Sequence, residues 1–301
     1  MTTSPHYTEH IHTPEVTGPI AEQAARQTGL DPDGMILLRH QTSGVYRLTR
    51  APVVIKVAPP GEQHLTDVVR LVTWLQDHGV PTVELWGDPT NQPLHIDGRV
   101  VTLWRYLPQE RAVRAPDIAD SLLALHNAPP PPFPLRPLDV FGPIGRSIAA
   151  SPLLTDDDRN LLTDLCTRLA QDNALLTAGS EPSLIHGDAQ HRNTLLDPSN
   201  GLAVLSDWDS AALGPREWDL TTIEVHCRRF DHPSAEYDQF CQRYGRDIRD
   251  WSAYPWLRDV RELRMITSNA RKSPPGSPAA TEVRRRLDNL RDGGNLSWNI
   301  L

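Results

Sequence analysis

Residues 184–209 hold the side chains with the clearest capacity for chemistry. His186, Asp188 and Asn193 precede a turn, and Asp207 and Asp209 follow it. Two short apolar runs, 194–196 and 202–205, flank Asp197-Pro198-Ser199-Asn200-Gly201. Apolar runs around a turn-forming cluster predict a β-hairpin. A hairpin brings its outer edges together, so Asp188, Asn193 and Asp207 should converge. Such a set can take a proton from a hydroxyl and hold a hard divalent cation through oxygen, which is what phosphoryl transfer needs. Asp188 is the candidate base. Asn193 and Asp207 are the candidate Mg²⁺ ligands. Asp209 either supports that metal site from behind or caps the next turn. A hairpin capped by turn-forming Asp and Asn does not account for three polar positions in this order.

A second candidate lies far upstream. Of 30 basic residues only Lys56 and Lys272 are lysine, and the rest are arginine. Lys56 sits in Val53-Val54-Ile55-Lys56-Val57, a strongly β-forming run. A scarce lysine inside a strand suits a phosphate contact. The other reading is an edge-strand lysine that blunts aggregation. The preceding turn, Gln41-Thr42-Ser43-Gly44, is a sparse phosphate loop in which Ser43 and Gly44 are the candidate contacts; a plain hairpin turn is the alternative.

The elements that must position these residues follow from pattern. Residues 1–19 read as a mobile arm and 20–29 as a short helix. Strands are expected at 35–39, 45–49 and 53–57, a helix over 62–78, and strands at 83–86 and 100–104 with a loop at 88–98. The remainder reads as helical: 118–126, 155–177, a helix from about 214 to 229, then 234–244, 254–269 and 279–290. Pro129–Pro132 can be neither helix nor central strand. A strand-rich first third and a helix-rich remainder predict an α+β protein, with an antiparallel sheet in the first part and a mostly helical second part.

The order His186-Gly187-Asp188, Asn193, Asp207-Trp208-Asp209, with Lys56 upstream, follows the protein-kinase order of catalytic loop and metal motif. The Gly after His and the Trp after the metal Asp resemble the aminoglycoside phosphotransferase and choline kinase family of small-molecule kinases. The resemblance spans roughly 35–270 and is densest at 184–220. It implies a two-lobed protein-kinase-like fold: a nucleotide-binding lobe over 1–103, a hinge at 104–107, and a helical catalytic and acceptor-binding lobe over 108–301. It further implies ATP and Mg²⁺ as cofactors, Lys56 at the phosphates, and adenine near Trp104 and Tyr106. Asp219 becomes a structural partner of the catalytic loop. The implied activity moves the γ-phosphoryl group to a hydroxyl of a small molecule, such as an aminoglycoside-like antibiotic or an amino sugar. In one respect the chain departs from the pattern: the helix position that should carry the lysine's glutamate is Val68, leaving Asp67 or Glu62 as substitutes. That departure supports a rival reading, a kinase-like nucleotide-binding protein without catalysis. A metal-dependent phosphoesterase using His186, Asp188 and His191 is a further rival, and leaves Lys56 and Asn193 idle. Acceptor ligands are sought among Glu224, Asp231, Asp238 and Glu262, and His126 reads as a packed structural residue.

Composition narrows partners. A net charge of −8 disfavours nucleic acid and is compatible with a cationic substrate. No run of 18 apolar residues occurs, which excludes a helical membrane span, and the polar first nine residues lack the apolar core of a signal peptide. Three unpaired-looking cysteines, Cys166, Cys227 and Cys241, argue against a disulfide framework and fit a reducing cytoplasm.

Overall fold

The computed structural model describes residues 12–62 and 65–301. The chain divides into two compact units, one comprising residues up to 78 with 82–108, the other 79–81 with 109–301. The architecture is α+β and two-lobed, as expected: an antiparallel sheet in the first unit and helices through most of the second.

The first unit is built on strands β1 (Ile36–His40), β2 (Gly44–Arg47), β3 (Val53–Val57), β4 (Leu94–Ile96) and β5 (Arg99–Arg105), in the order β1-β2-β3-β5-β4. Every neighbouring pair is antiparallel. Alternation along β3 buries Val53, Ile55 and Val57 on one face. Helix α1 (Pro14–Gln27) covers that face with Ile20, Ala21, Ala24 and Ala25, spaced to share one side of a helix. This corrects the arm over 1–19. The helix begins at Pro14, where proline is well placed because a first-turn N–H has no helical partner. Pro19 lies inside it and marks no start. Residues 1–11 fall outside the described ones.

Two further expectations change. The strand at 83–86 is reduced to a single bridge, Leu85 to Trp104. The sheet's last strand is β4, inside the expected loop. Its signal was Asp97-Gly98, at φ 50° and 72°, the pair of positive φ angles a two-residue hairpin turn requires. Helix α2 (Thr66–Asp77) then runs within the expected 62–78.

The second unit packs α3 (Ala115–His126), α4 (Gly142–Ala150), α5 (Asp156–Gln171), α6 (Glu217–Arg229), α7 (Ser234–Tyr244), α8 (Tyr254–Lys272) and α9 (Pro278–Arg291) with two small sheets. Strand β6 (Ser183–Ile185) pairs with β9 (Ala212–Gly214), and β7 (Thr194–Leu196) with β8 (Ala203–Leu205). The expected helix over 155–177 ends at Gln171 and continues as a 3-10 turn, Asn173–Ala178. The Asp172-Asn173 pair favours local side-chain hydrogen bonds over helix. Helix α4 went unexpected because GPIGRSIAA carries two glycines and a proline. The core gathers Ile144, Leu162, Ile185, Trp218, Leu257, Leu263 and Leu287 from the helices and β6.

Asp158 ties α5 to α9. Thr155 and Asp158 form a reciprocal cap at the start of α5. The fully buried Asp158 carboxylate also accepts from Arg284 at 2.9 Å and from Arg291. Burial opposes its ionisation, but the Thr155 and arginine hydrogen bonds outweigh burial and lower its pKa to about 2. The folded pKa is below the unfolded one, so this contribution is fully present above about pH 4 and lost as pH falls through about 2. Asp158→Asn should therefore cost about 2 kcal/mol at pH 7, and the gap between variant and parent should shrink below pH 3. Urea denaturation followed by tryptophan fluorescence at pH 7 and pH 3 measures both.

Candidate active site

Strand β6 ends at Ile185 and delivers His186, Gly187 and Asp188 into a loop that closes with a 3-10 turn, His191–Asn193. The hairpin β7–β8 follows at once. Its turn is held by Asp197, whose carboxylate accepts from Ser199, and by Asn200, whose side chain accepts from the Leu202 N–H. Leaving β8, the Ser206 N–H donates to the Asn193 carbonyl at 2.8 Å. That bond brings the backbone leading into Asp207 against Asn193. Asp207 adopts φ 65°, ψ 60°, a left-handed conformation rarely taken by a residue other than glycine and concentrated at functional sites.

The loop is pinned from below by Asp219, in the first turn of α6. Its carboxylate accepts from the His186 N–H at 2.7 Å, the Gly187 N–H at 2.8 Å and His126 Nε2 at 3.1 Å. His126 Nδ1 lies 2.8 Å from the Tyr244 hydroxyl, which donates to it once Nε2 carries the ring proton. Trp218 Nε1 donates to the Gly187 carbonyl at 2.9 Å. Gly187 has φ +80°, and a Cβ there would lie 2.1 Å from the Ser210 carbonyl oxygen, so no other residue fits. His186 turns away from chemistry: it is fully buried, and its Nε2 lies 2.9 Å from the Ser206 carbonyl.

Asp188 itself is held on both carboxylate oxygens. Asn193 Nδ2 donates to Oδ2 at 2.8 Å and to the Asp188 carbonyl at 3.0 Å. Arg261, from α8, donates to Oδ1. Burial works against the charge, but the Arg261 guanidinium holds the carboxyl below the usual carboxylate range. Because Asn193 spends its amide nitrogen on Asp188, its amide oxygen is left to accept. Asn193 Oδ1 with the Asp207 carboxylate is an all-oxygen donor set suited to Mg²⁺, so the residues present fit that ion.

Sequence reasoning missed Arg261. Nothing marks it among 28 arginines, and only the packing of α8 brings it to Asp188. The acidic acceptor candidates are engaged elsewhere. Glu224 and Glu262 accept from Arg228, Glu262 also from Arg229, Asp238 from Arg249 and Asp231 from Ser297.

In the first unit, Lys56 lies on β3 between Val45 of β2 and Thr102 of β5. With both neighbours paired, β3 is central, which removes the edge-strand reading. Gly44 opens β2 and Ser43 precedes it. Ser43 is buried, and its Oγ has no hydrogen-bond partner among the described residues. A Cβ at Gly44 would meet Thr17 Oγ1 at 2.7 Å, so the missing side chain serves packing against α1. Trp104 Nε1 donates to Thr102 Oγ1 at 2.8 Å. Tyr106 accepts from Arg47, whose guanidinium stacks 4.0 Å from the ring centre. Asp67, one candidate partner for the lysine, is instead exposed and bonded to Arg70 at 3.0 Å.

The family model described as the phosphotransferase enzyme family matches residues 36–258. The chain belongs to this family. As a member it is a small-molecule kinase, which sets aside the phosphoesterase reading. The geometry agrees, since His186 is spent on a carbonyl and His191 on Glu236, 3.1 Å away. Solved structures share the phosphotransferase fold. The amicoumacin kinase hAmiN, in complex with AMP-PNP, Ca²⁺ and Ami, superposes with a TM-score of 0.70 at 11% identity, covering 94% of this chain and 97% of that one. Aminoglycoside phosphotransferase APH(3'')-Id from Streptomyces rimosus gives 0.65 at 18%, covering 83% and 98%. Choline kinase LicA from Streptococcus pneumoniae gives 0.63 at 17%, covering 92% and 99%. At such identities the likeness is one of fold. No curated protein matches the sequence.

Removing the Asp219 anchor should be costly, because two backbone N–H groups and a histidine lose a buried acceptor, and each orphaned donor costs about 1–3 kcal/mol. Asp219→Ala should lower stability by about 3 kcal/mol or more and abolish turnover while leaving Asp188 in place in the sequence. Denaturant titration and an ADP-release assay on the same preparation check this.

Proposed function

We propose that this phosphotransferase moves the γ-phosphoryl group of Mg·ATP to a hydroxyl of a small molecule. The observation that carries the reading is the Asp188 carboxylate held by Arg261 and Asn193 at the neck of the hairpin that leads into Asp207. Bound Mg·ATP would supply the phosphoryl group and the cation that offsets its charge. Lys56, Ser43 and the Gly44 backbone would hold the phosphates, Trp104 and Tyr106 would flank adenine, and Asn193 and Asp207 would ligate the metal. Asp188 orients the acceptor hydroxyl and takes its proton as transfer completes. Arg261 and Asn193 keep that carboxylate charged and fixed in direction. The lobe boundaries follow the same reading, with nucleotide on the sheet-bearing first unit and acceptor on the helical second. Absence of a membrane-length apolar helix among the described residues and the acidic net charge favour a cytoplasmic enzyme without nucleic-acid partners. Neighbours whose names record antibiotic or choline substrates make an antibiotic-like or amino-alcohol acceptor the starting panel.

The variants separate roles. Asp188→Asn keeps shape and removes charge, so it should lower kcat by about 10²- to 10⁴-fold and leave Mg·ATP binding intact. Asp207→Asn should weaken both binding and turnover, with partial rescue by excess Mg²⁺ or Mn²⁺. Calorimetric titration of Mg·ATP beside turnover checks this; loss of nucleotide binding in the first variant and its retention in the second would reverse the assignment.

The pH profile offers an independent check. Arg261 holds the Asp188 pKa below the ordinary carboxylate range, so the base stays ionised at every pH above that range. The kcat/KM profile should therefore show no acid limb from this residue between pH 5 and 8. Arg261→Gln should bring an acid limb upward in pH.

A further inference from the structure

Three arginines, Arg261, Arg264 and Arg136, crowd together beside Asp188. Arg261 donates to Asp188 through Nη2, and its Nε is buried without a hydrogen-bond partner among the described residues. Arg264, three residues on and so on the same face of α8, has among the described residues only the Asp139 carbonyl, 3.2 Å from Nη1, as a hydrogen-bond acceptor. Both guanidinium groups lie over the Trp218 ring, 5.5 and 5.3 Å from its centre. Arg136 joins them electrostatically and gives its own donors to the Ala211 and Asp209 carbonyls. The acids facing this group are Asp188 and Asp139, and Asp139 also pairs with Arg146 at 3.7 Å. Asp207 and Asp209 follow on the adjoining loop, so what sets this cluster apart is Arg264, which forms no ion pair among the described residues. Burial, reinforced by Arg261, pulls the Arg264 pKa down to about 10. Burial and the same Arg261 charge lower that of His226 to about 3 and keep its ring neutral.

Crowding guanidinium groups against one another and out of water is unfavourable unless an anion completes the set. The planar fork of arginine matches a carboxylate or a phosphate in two parallel hydrogen bonds. A polyamine would meet repulsion here, and the acids at 224, 231, 238 and 262 that could attract it are already bonded to other groups.

We infer that the acceptor of this enzyme carries an anionic group, a carboxylate or a phosphate, which docks on Arg261 and Arg264 while its hydroxyl meets Asp188. This rests on the phosphotransfer reading above and names the substrate class for that site.

A charge series on one polyol tests it: gluconate, glucitol and glucamine differ at one end by a carboxylate, a hydroxyl and an ammonium, and glucitol 6-phosphate supplies the phosphate arm. Acceptor-dependent ADP release and the shift in thermal midpoint are read at equal ionic strength. Gluconate or the phosphate should exceed glucitol at least tenfold in kcat/KM or raise the midpoint where glucitol does not, with glucamine lowest. Whichever anion wins identifies the source of the charge. Arg264→Gln should erase the preference, Arg264→Lys should keep part of it, and neither should change the KM for Mg·ATP. A preference for glucamine, an anion preference that survives both Arg264→Gln and Arg261→Gln, or no response to either anion overturns the inference. Failure of the wild type to bind Mg·ATP in the calorimeter would instead remove the phosphotransfer reading, so the two failures are distinguishable.

Discussion

The buried carboxylate of Asp219 is the fixed point of the second unit. It satisfies two successive backbone N–H groups, at His186 and Gly187, that no strand or helix could satisfy. Buried N–H groups without acceptors are strongly disfavoured, so the tight turn before Asp188 exists only because α6 brings this side chain beneath it. Trp218, the preceding residue on α6, takes up the Gly187 carbonyl. The same helix start therefore fixes both polarities of the peptide unit that aims Asp188. His126 and Tyr244 extend the network into α3 and α7, so the position of Asp188 is set by several helices together.

Above that anchor, the site divides its hydrogen bonds sparingly. Asn193 gives its amide nitrogen to Asp188 and keeps its oxygen. Ser206 and Asn193 close the neck of the hairpin through their backbone groups. The left-handed backbone at Asp207 is a local conformational cost carried at that neck. Arg261 then decides the electrostatics: it holds the Asp188 carboxyl below the usual carboxylate range, and Arg264 and Arg136 add positive charge beside it in a protein that is acidic as a whole. Net charge is a sum over a surface, whereas recognition depends on the few groups facing the substrate.

In the first unit a single packing decision has a parallel effect. Helix α1 covers one face of the sheet, so alternation along β3 assigns Val53, Ile55 and Val57 to the core and Lys56 to the opposite side. Pairing of β3 on both edges holds that lysine at mid-sheet, where register fixes it as firmly as burial does.

What the sequence determined by itself was whatever depends on near neighbours in the chain. The hairpin at 194–205, the order His186-Gly187-Asp188, Asn193, Asp207, the β-rich start and the helices α7 and α9 are set by spacing, turn chemistry and periodicity within a few residues of each. Even the missed β4 had its local sign in Asp97-Gly98. The same holds of α1, whose Pro14 suits a first turn although Pro19 reads as a break. The tertiary structure decided the rest. Strands β6 and β9 are three residues each and are stabilised by pairing between positions 27 apart, Ile185 and Ala212, which no local pattern encodes. Arg261 lies 73 residues from Asp188, and its role arises only when α8 packs against α6. Charge partners are chosen by three-dimensional proximity, so the four acids named as acceptor candidates from the sequence are bonded elsewhere, and Arg261, unmarked in the sequence, meets Asp188.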